Sequence, residues 1–342
     1  MNRSLADYLL FLAETATLVV AVIVVVAGAA GVITTARRRG RNRPRLQVTD
    51  LGRRQDGLRR ALQGHLMPRK LVRRDLKADR ARRKAESRRL VAGGAARPRV
   101  FVLDFVGDIR ASAVAGLREE VSAVLAVAAQ GDEVLVRLEN PGGLVHDQGL
   151  AASQLLRIRS RGIPLTVAVD KVAASGGYMM ACVADRIVAA PFAVVGSIGV
   201  IAQIPNVQRL LDRAGVDVEQ FKGGEFKRTV TPYGRTTEAD RAKLTEEIED
   251  VHALFKEFVA TNRPQLDLAV VGTGEIWYGS RALDLRLVDE LSTSDDYLLG
   301  LRQRADLFAV SYASARPMAA RFVPRLSATL TAVIERLLPA SG

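Results

Sequence analysis

The sequence predicts an α/β fold built from parallel βαβ units. Between residues 99 and 170, apolar runs of strand length alternate with segments that have helical periodicity. Pairs of glycines follow two of these strands at their carboxyl ends, where ligands bind in parallel sheets. Hydrophobic residues make up 48% of the 342-residue chain, which is enough for the core of one large or two ordinary domains.

The first candidate element is a membrane span over residues 15–36, preceded by an N-terminal segment of residues 1–14. These 22 residues carry no charge and are long enough to cross a bilayer as a helix. A cleaved signal peptide is the alternative, but Asp7 and Glu14 precede the apolar run, which is long for a signal peptide. The arginine-rich residues 37–45 follow directly, so the positive-inside rule places the C-terminal side of the span in the cytoplasm.

A basic juxtamembrane arm is predicted over residues 37–98. Residues 37–99 carry 23 Lys or Arg against 5 Asp or Glu, whereas the rest of the chain is mildly acidic. Apolar residues recur through the arm at intervals typical of a helix: Leu58, Leu62, Leu66, Leu71 and Leu76. We expect a cationic helical arm held near anionic lipid head groups. Nucleic acid is the less favoured partner, because no aromatic residue that could stack on bases lies among these charges.

The predicted catalytic domain, residues 99–316, opens with alternating strands and helices. They are a strand over 99–106, a helix over 113–129, a strand over 133–139, a helix over 149–161 and a strand over 163–170. The segment Asn140–Gly143 follows the second strand, and its paired glycines present backbone amides where a ligand could bind. An ordinary Pro-Gly turn explains the same residues equally well.

Ser175 lies at the next turn from a strand to a helix. Gly176 and Gly177 follow it, so the backbone can turn sharply, and amide N–H groups stay free at the start of the helix. A serine in this position can attack a carbonyl group that approaches closely.

The remainder of the domain is predicted to hold further strands and helices. They are strands over 186–190, 193–200 and 216–222, helices over 206–214 and 238–261, a glycine-led loop over 223–228, and closing segments over 267–274, 277–283 and 287–291. A second membrane span over 186–204 is disfavoured by Pro191 and by the glycines of that region. A C-terminal amphipathic helix over residues 317–342 is expected to dock on the protein rather than lie on a membrane surface.

A serine nucleophile needs a base. Of the three histidines, His65, His146 and His252, only His146 lies near the glycine turn, and its favoured interpretation is a loop histidine. A lysine can serve if an apolar setting lowers its pKa. Lys227 follows Phe226 in the loop after the predicted strands, although a solvated surface lysine is the alternative. The single cysteine, Cys182, excludes an intramolecular disulfide, and no Cys/His spacing suggests a metal site.

Four motifs along the chain resemble one known family. Asn140–Gly143, Val169–Tyr178, Gly196–Gly199 and Phe226-Lys227 look like the signal peptide peptidase family, S49, of Ser-Lys serine proteases. The apolar N-terminal run and the basic arm resemble the SohB branch of that family. The resemblance extends from the predicted span to about residue 300.

The resemblance implies a spiral of βαβ units like that of ClpP and the crotonases, with no metal or organic cofactor. It implies Ser175 as the nucleophile, Lys227 as the general base and Ser197 as a residue that orients the lysine. The amides of Gly143 and Gly176 would form an oxyanion hole. The substrates would be peptides, either signal-peptide remnants or unfolded membrane-associated segments.

The resemblance also implies a single-pass protein of the bacterial inner membrane that assembles as a homo-oligomeric ring. The charge pattern predicts a cytoplasmic catalytic domain, while relatives leave the periplasmic side open. Many relatives have Tyr before the lysine and a small residue after it, where this chain has Phe226 and Arg228. Two other functions stay open at this point: an acyl-CoA enzyme of the crotonase type, and a membrane scaffold without catalytic activity.

Overall fold

The computed structural model describes residues 45–93 and 97–313 and shows an α/β fold. In chain order the elements are β1 (Arg45–Asp50), α1 (Leu51–Leu66), α2 (Arg69–Val91), β2 (Arg99–Val106), α3 (Val114–Val127), β3 (Glu133–Glu139), α4 (Val145–Arg159), β4 (Leu165–Val169), β5 (Val172–Ala174), α5 (Gly176–Ala181), β6 (Arg186–Ala189), β7 (Val194–Gly196), α6 (Gln208–Arg213), α7 (Glu238–Asn262), α8 (Leu268–Val271), β8 (Ile276–Tyr278), α9 (Gly279–Asp284), β9 (Glu290–Leu291), α10 (Ser294–Leu301) and β10 (Asp306–Ala313).

The main sheet has seven strands in the order β1-β10-β2-β3-β4-β6-β9. Every neighbouring pair from β10 to β9 is parallel. Helices α3 and α4 connect β2 to β3 and β3 to β4, so the predicted parallel βαβ units are confirmed. A smaller sheet has the order β5-β7-β8, in which β5 and β7 are parallel and β8 is antiparallel to β7.

Both faces of the main sheet are covered. On one face, Phe101, Leu103 and Phe105 of β2 share a buried cluster with apolar residues of α3, α4 and α5. On the other face, Val100 and Val102 belong to a second cluster that α10 closes. The alternation along β2 sends successive side chains to opposite faces, and each face finds an apolar partner.

Helices α1 and α2 lie within the predicted basic arm, whose helical character is thereby confirmed. Leu51, the first residue of α1, packs against the second cluster. Arg302 at the end of α10 donates to Gln55 Oε1 over 3.1 Å and forms an ion pair with Asp56. These contacts join the start of the arm to the α10 side of the sheet.

Two strands that the sequence analysis did not predict, β1 and β10, lie beside each other in the main sheet. The predicted strand over 216–222 is wrong, because these residues form no strand and Val216, Val218 and Phe221 are exposed. Residues 186–204 form strands β6 and β7 followed by irregular backbone, which confirms the choice of strands over a second membrane span.

The localisation predicted from the sequence needs correction. Within residues 45–93 and 97–313, none of the helices combines the length and the apolar character needed to cross a bilayer. A single-pass inner-membrane protein is therefore not supported by the structure, and that prediction is withdrawn. The predicted span over 15–36 and the predicted C-terminal helix over 317–342 lie outside the described residues.

Candidate active site

Ser175 occupies the single residue between strand β5 and helix α5. Its backbone has φ 53° and ψ −119°, a conformation that non-glycine residues rarely adopt. The turn is held by two hydrogen bonds: the Ser175 N–H donates to the Gly196 carbonyl over 2.8 Å, and the Ser175 carbonyl accepts from the Met179 N–H over 2.9 Å. A sharp turn of this kind points a serine side chain away from the strand.

The Ser175 hydroxyl is not used to cap helix α5. A serine at the N-cap ordinarily accepts a hydrogen bond from an amide in the first turn. No such side-chain bond is present at Ser175, although the residue occupies the N-cap position. The side chain is partly exposed, so the hydroxyl is available for chemistry.

The turn at Gly142 and Gly143 packs directly against Ser175. Gly142 has φ 96°, and a Cβ there would lie 2.8 Å from the Ser175 Cβ. A Cβ on Gly143 would lie 2.1 Å from the Ile109 carbonyl oxygen. Both positions therefore require glycine. An ordinary Pro-Gly turn does not explain this requirement by itself, because it comes from close packing near the candidate nucleophile.

Gly176 is the first residue of α5, so its amide is one of those that a helix leaves without an intrahelical partner. A Cβ on Gly176 would lie 2.4 Å from the Gln148 Cγ, and a Cβ on Gly177 would lie 2.0 Å from the Asn140 carbonyl oxygen. Helix α5 is thus packed onto the end of β3 and the start of α4. The structure brings Gly143, Ser175 and Gly176 together.

Ser197 follows the last residue of strand β7, which pairs with β5 beside the Ser175 turn. It is the residue after Gly196, whose carbonyl accepts from the Ser175 N–H. Its own N–H donates to the Glu275 carbonyl over 2.6 Å, and its φ is 51°. On helix α7, His252 Nε2 lies 3.0 Å from the Ile198 carbonyl oxygen. No role was predicted for His252, and nothing in its local sequence indicates this contact.

Lys227 is exposed and is not hydrogen-bonded to Ser175 in the described part of the chain. It lies in an exposed turn where its N–H donates to the Gly224 carbonyl over 3.3 Å. Among residues 45–93 and 97–313, no hydrogen bond or ion pair joins the Lys227 side chain to Ser175 or Ser197. The neighbouring Phe226 side chain is exposed and has the Lys243 ammonium over its ring, 5.1 Å from the centroid. The apolar setting expected around Lys227 is therefore absent from this arrangement of the described chain.

His146 lies in the first turn of α4 rather than in a loop. Its side chain is 78% exposed, with Nε2 3.7 Å from Asp147 Oδ2, so it is a surface histidine. Cys182 is fully buried in the core, where burial raises the pKa of its thiol to about 12. A buried thiol of that pKa is a poor nucleophile, so serine is the better candidate.

Comparison with known proteins places the chain in a peptidase family. Residues 157–307 match the family model "Peptidase family S49". Residues 3–155 match a second model, "Peptidase family S49 N-terminal". "Probable protease SohB" of Haemophilus influenzae is 56% identical over 237 residues, which cover 69% of this chain and 67% of the relative. "Probable protease SohB" of Buchnera aphidicola subsp. Acyrthosiphon pisum is 49% identical over 70% of this chain and 71% of the relative.

A solved structure of a mutant of the 1510-N membrane-bound stomatin-specific protease is 15% identical, covering 60% of this chain and 85% of that one with a TM-score of 0.41. That score is too low to identify a shared fold. The family assignment depends instead on the family models and on relatives that match about two thirds of their own length. The chain belongs to peptidase family S49, as a SohB-like member.

Proposed function

We propose that the protein is a serine endopeptidase in which Ser175 is the nucleophile and Lys227 is the general base. The observation that carries the proposal is the uncapped Ser175 hydroxyl on a strained turn that packs against Gly142 and leads into Gly176. Membership in a peptidase family supports the same reaction class. In this mechanism the Ser175 oxygen attacks the carbonyl carbon of a peptide bond while the base removes the hydroxyl proton.

The negative charge that develops on the carbonyl oxygen would be stabilised by the N–H groups of Gly143 and Gly176. Donors fixed in this way need no reorganisation during the reaction, and loss of one donor typically costs about 3–4 kcal/mol of barrier reduction. The close packing of both glycines supports this role, since a fixed backbone presents its amides in one orientation. The proton taken by Lys227 would then pass to the leaving amine.

Lys227 has to approach Ser175 for this reaction, and we assign that approach to assembly with further copies of the chain. The segment between β7 and α7, which contains Lys227, exposes large apolar side chains, among them Ile201 (85% exposed), Phe221 (89%) and Phe226 (56%). Apolar surface of this kind favours burial against another protein surface. A closed homo-oligomeric ring would cover it and would give Lys227 the desolvated setting that a neutral base requires. Ser197, next to the Ser175 turn, would then orient the lysine.

The proposed substrates are extended apolar peptides, such as remnants of signal peptides. This substrate class rests on the resemblance to the signal peptide peptidase family and on the family match. Membrane anchoring is no part of the proposal.

Single and double substitutions test the dyad. Ser175→Ala and Lys227→Ala should each abolish cleavage of a fluorogenic peptide by the full-length protein, and the double variant should be no worse than either one, because residues that act as a unit lose activity together. Arg228→Ala, beside the lysine, is the matched control and should keep activity. Full activity in Ser175→Ala would refute the proposal. Acyl-CoA binding without any peptide cleavage would favour the crotonase-like alternative instead.

A further inference from the structure

The amide side chains of Asn140 and Gln148 form a buried pair beneath the candidate oxyanion hole. Both residues are 0% exposed. Asn140 Nδ2 donates to Gln148 Oε1 over 2.8 Å. We propose that this pair positions the Gly143 and Gly176 amides for catalysis without touching the substrate. The inference deepens the proposed function and rests on it.

Asn140 sets the distance between the glycine turn and the nucleophile. Its Oδ1 accepts from the Gly142 N–H over 2.9 Å, which fixes the turn that carries Gly143. Its backbone N–H donates to the Val172 carbonyl over 2.8 Å, and its carbonyl accepts from the Ala174 N–H over 3.0 Å. The latter bonds form a parallel bridge to β5, the strand that leads directly into Ser175. One residue therefore holds the glycine turn with its side chain and the nucleophile strand with its backbone.

Gln148 connects the same residue to the second amide. Its Cβ and Cγ pack where a Cβ on Gly176 would stand, at 2.6 and 2.4 Å from that position. Its Nε2 donates to the Asp108 carbonyl over 3.0 Å, in the loop whose Ile109 carbonyl accepts from the Leu144 N–H over 2.8 Å. The start of α5, the Gly143 turn and the 108–109 loop are thus joined through one side chain.

The chemistry of the pair suits this position. Asn140 Nδ2 also lies 3.3 Å from the Met180 sulfur, so each of the four side-chain polar atoms of the pair has a partner. Satisfied amides hold a fixed geometry inside a protein, whereas unpaired ones are costly. The pair is also uncharged. A carboxylate at either position would place negative charge beside the oxyanion and oppose its formation.

The test is Gln148→Met in the full-length protein. Methionine keeps the Cβ and Cγ that pack against Gly176 but removes the hydrogen bonds to Asn140 and Asp108. We expect kcat for peptide cleavage to fall about 10- to 100-fold with KM within about twofold, because small displacements of oxyanion donors affect the transition state more than the substrate. The inhibition constant of a peptide aldehyde, which forms a tetrahedral adduct, should rise by a similar factor. A purely structural role would not shift adduct affinity selectively.

Gln154→Met is the matched control, since Gln154 is a buried amide on the same helix whose Oε1 accepts from Arg157 Nη1, away from the glycines. It should retain wild-type kcat. If Gln148→Met does not fold, as judged by circular dichroism and thermal unfolding, Gln148→Leu takes its place; it also removes the hydrogen bonds to Asn140 and Asp108 without adding charge, and it is expected to lower kcat in the same way. Unchanged kcat in either folded variant, or an equal loss in Gln154→Met, would overturn the inference. Activity in Ser175→Ala would instead overturn the proposed function itself.

Discussion

At the scale of single residues, Ser175 combines an unfavourable backbone conformation with its chemical role. A non-glycine residue in such a region costs about 1–3 kcal/mol and persists only where its neighbours enforce it. Here the enforcement comes from the hydrogen bonds to Gly196 and Met179. Alanine at position 175 would be strained in the same way as serine, whereas glycine would not. Comparing the stabilities of the Ala and Gly variants, both of which lack the hydroxyl, therefore measures the strain separately from the activity.

We predict that Ser175→Gly is more stable than the wild type by roughly 0.5–2 kcal/mol, after allowance for the greater freedom of glycine in the unfolded chain. Ser175→Ala should match the wild type in stability, and neither variant should cleave peptides. Denaturant unfolding of the three proteins provides the comparison. Equal stability of the Gly and Ala variants would mean that the turn stores no strain.

The lone cysteine gives a second residue-scale prediction. The Cys182 thiol is fully buried, its Sγ lies 3.3 Å from the Met179 carbonyl oxygen, and burial raises its pKa to about 12. Thiol reagents at neutral pH should therefore leave the folded protein unmodified and active. Titration with a chromogenic disulfide should detect one thiol in denaturant and none in buffer. Rapid labelling of the native protein accompanied by loss of activity would contradict this.

At the scale of elements, Asp132 joins the beginnings of two neighbouring strands and the end of a helix. Asp132 is only 4% exposed. Its carboxylate accepts hydrogen bonds from the Arg99 N–H over 2.9 Å and from the Ala129 N–H over 2.8 Å. It also forms an ion pair with the Arg99 guanidinium. Burial acts to raise the pKa of the Asp132 carboxyl, but the hydrogen bonds from Arg99 and Ala129 outweigh burial and hold it below 3.8.

Asp132→Asn should therefore destabilise the protein by about 2–3 kcal/mol at neutral pH. A carboxyl whose pKa is lowered by folding stabilises the protein above its unfolded pKa and loses that effect as the pH falls through its folded value. The difference between wild type and variant should thus be constant above about pH 4 and shrink at lower pH. Asp104→Asn is the control, because its ion pair with Arg137 also joins β2 to β3 but is far more exposed and should be worth less than about 1 kcal/mol. Equal losses in the two variants would show that burial of Asp132 has no special effect.

The sequence predicted those strands and helices whose own residues show a clear apolar pattern. Strands β2 and β3 have the predicted bounds, since continuous apolar runs are typical of strands buried on both faces. Strand β1 alternates Leu46 and Val48 with polar residues inside a basic segment, and its place in the sheet depends on β10, which is more than 250 residues away in the chain. Pairing over such a distance leaves no local trace. The strand expected at 216–222 failed for the opposite reason: its apolar residues have no partner strand in the described chain.

The candidate site, like the fold, was predictable only where its residues have a local sequence signature. Gly143, Ser175 and Gly176 lie at turns between elements, where glycine and serine have a local meaning, and the structure brings them together. Gln148 was not predicted to have a role, because one glutamine in a helix gives no sign of the glycine against which it packs. The placement of Lys227 against Ser175 stays a prediction. It depends on surfaces that a single copy of the chain leaves exposed.

At the scale of the whole molecule, the proposed ring can be tested by mixing inactive proteins. If Lys227 of one protomer meets Ser175 of another, Ser175→Ala and Lys227→Ala protomers should regain partial activity when they are co-assembled, because some interfaces would pair two intact residues. The two variants would be co-expressed with different tags, and doubly tagged complexes would be isolated and assayed. Complexes of Ser175→Ala with itself serve as the blank. Doubly tagged complexes without activity would place both residues of the dyad in one protomer.

The pairing of β1 with β10 also determines how the protein can be shortened. A version starting at residue 94, shortly after helix α2, would lose β1 and leave the backbone donors and acceptors of β10 without their neighbour. It would also lose Leu51 from the apolar cluster beside α10. Unpaired sheet edges recruit strands from other molecules. Strand β1 is also an edge, but it is short and carries Arg45 and Asp50, and charged residues hinder pairing with another chain. The shortened protein should therefore aggregate at lower concentration than a version starting at Arg45.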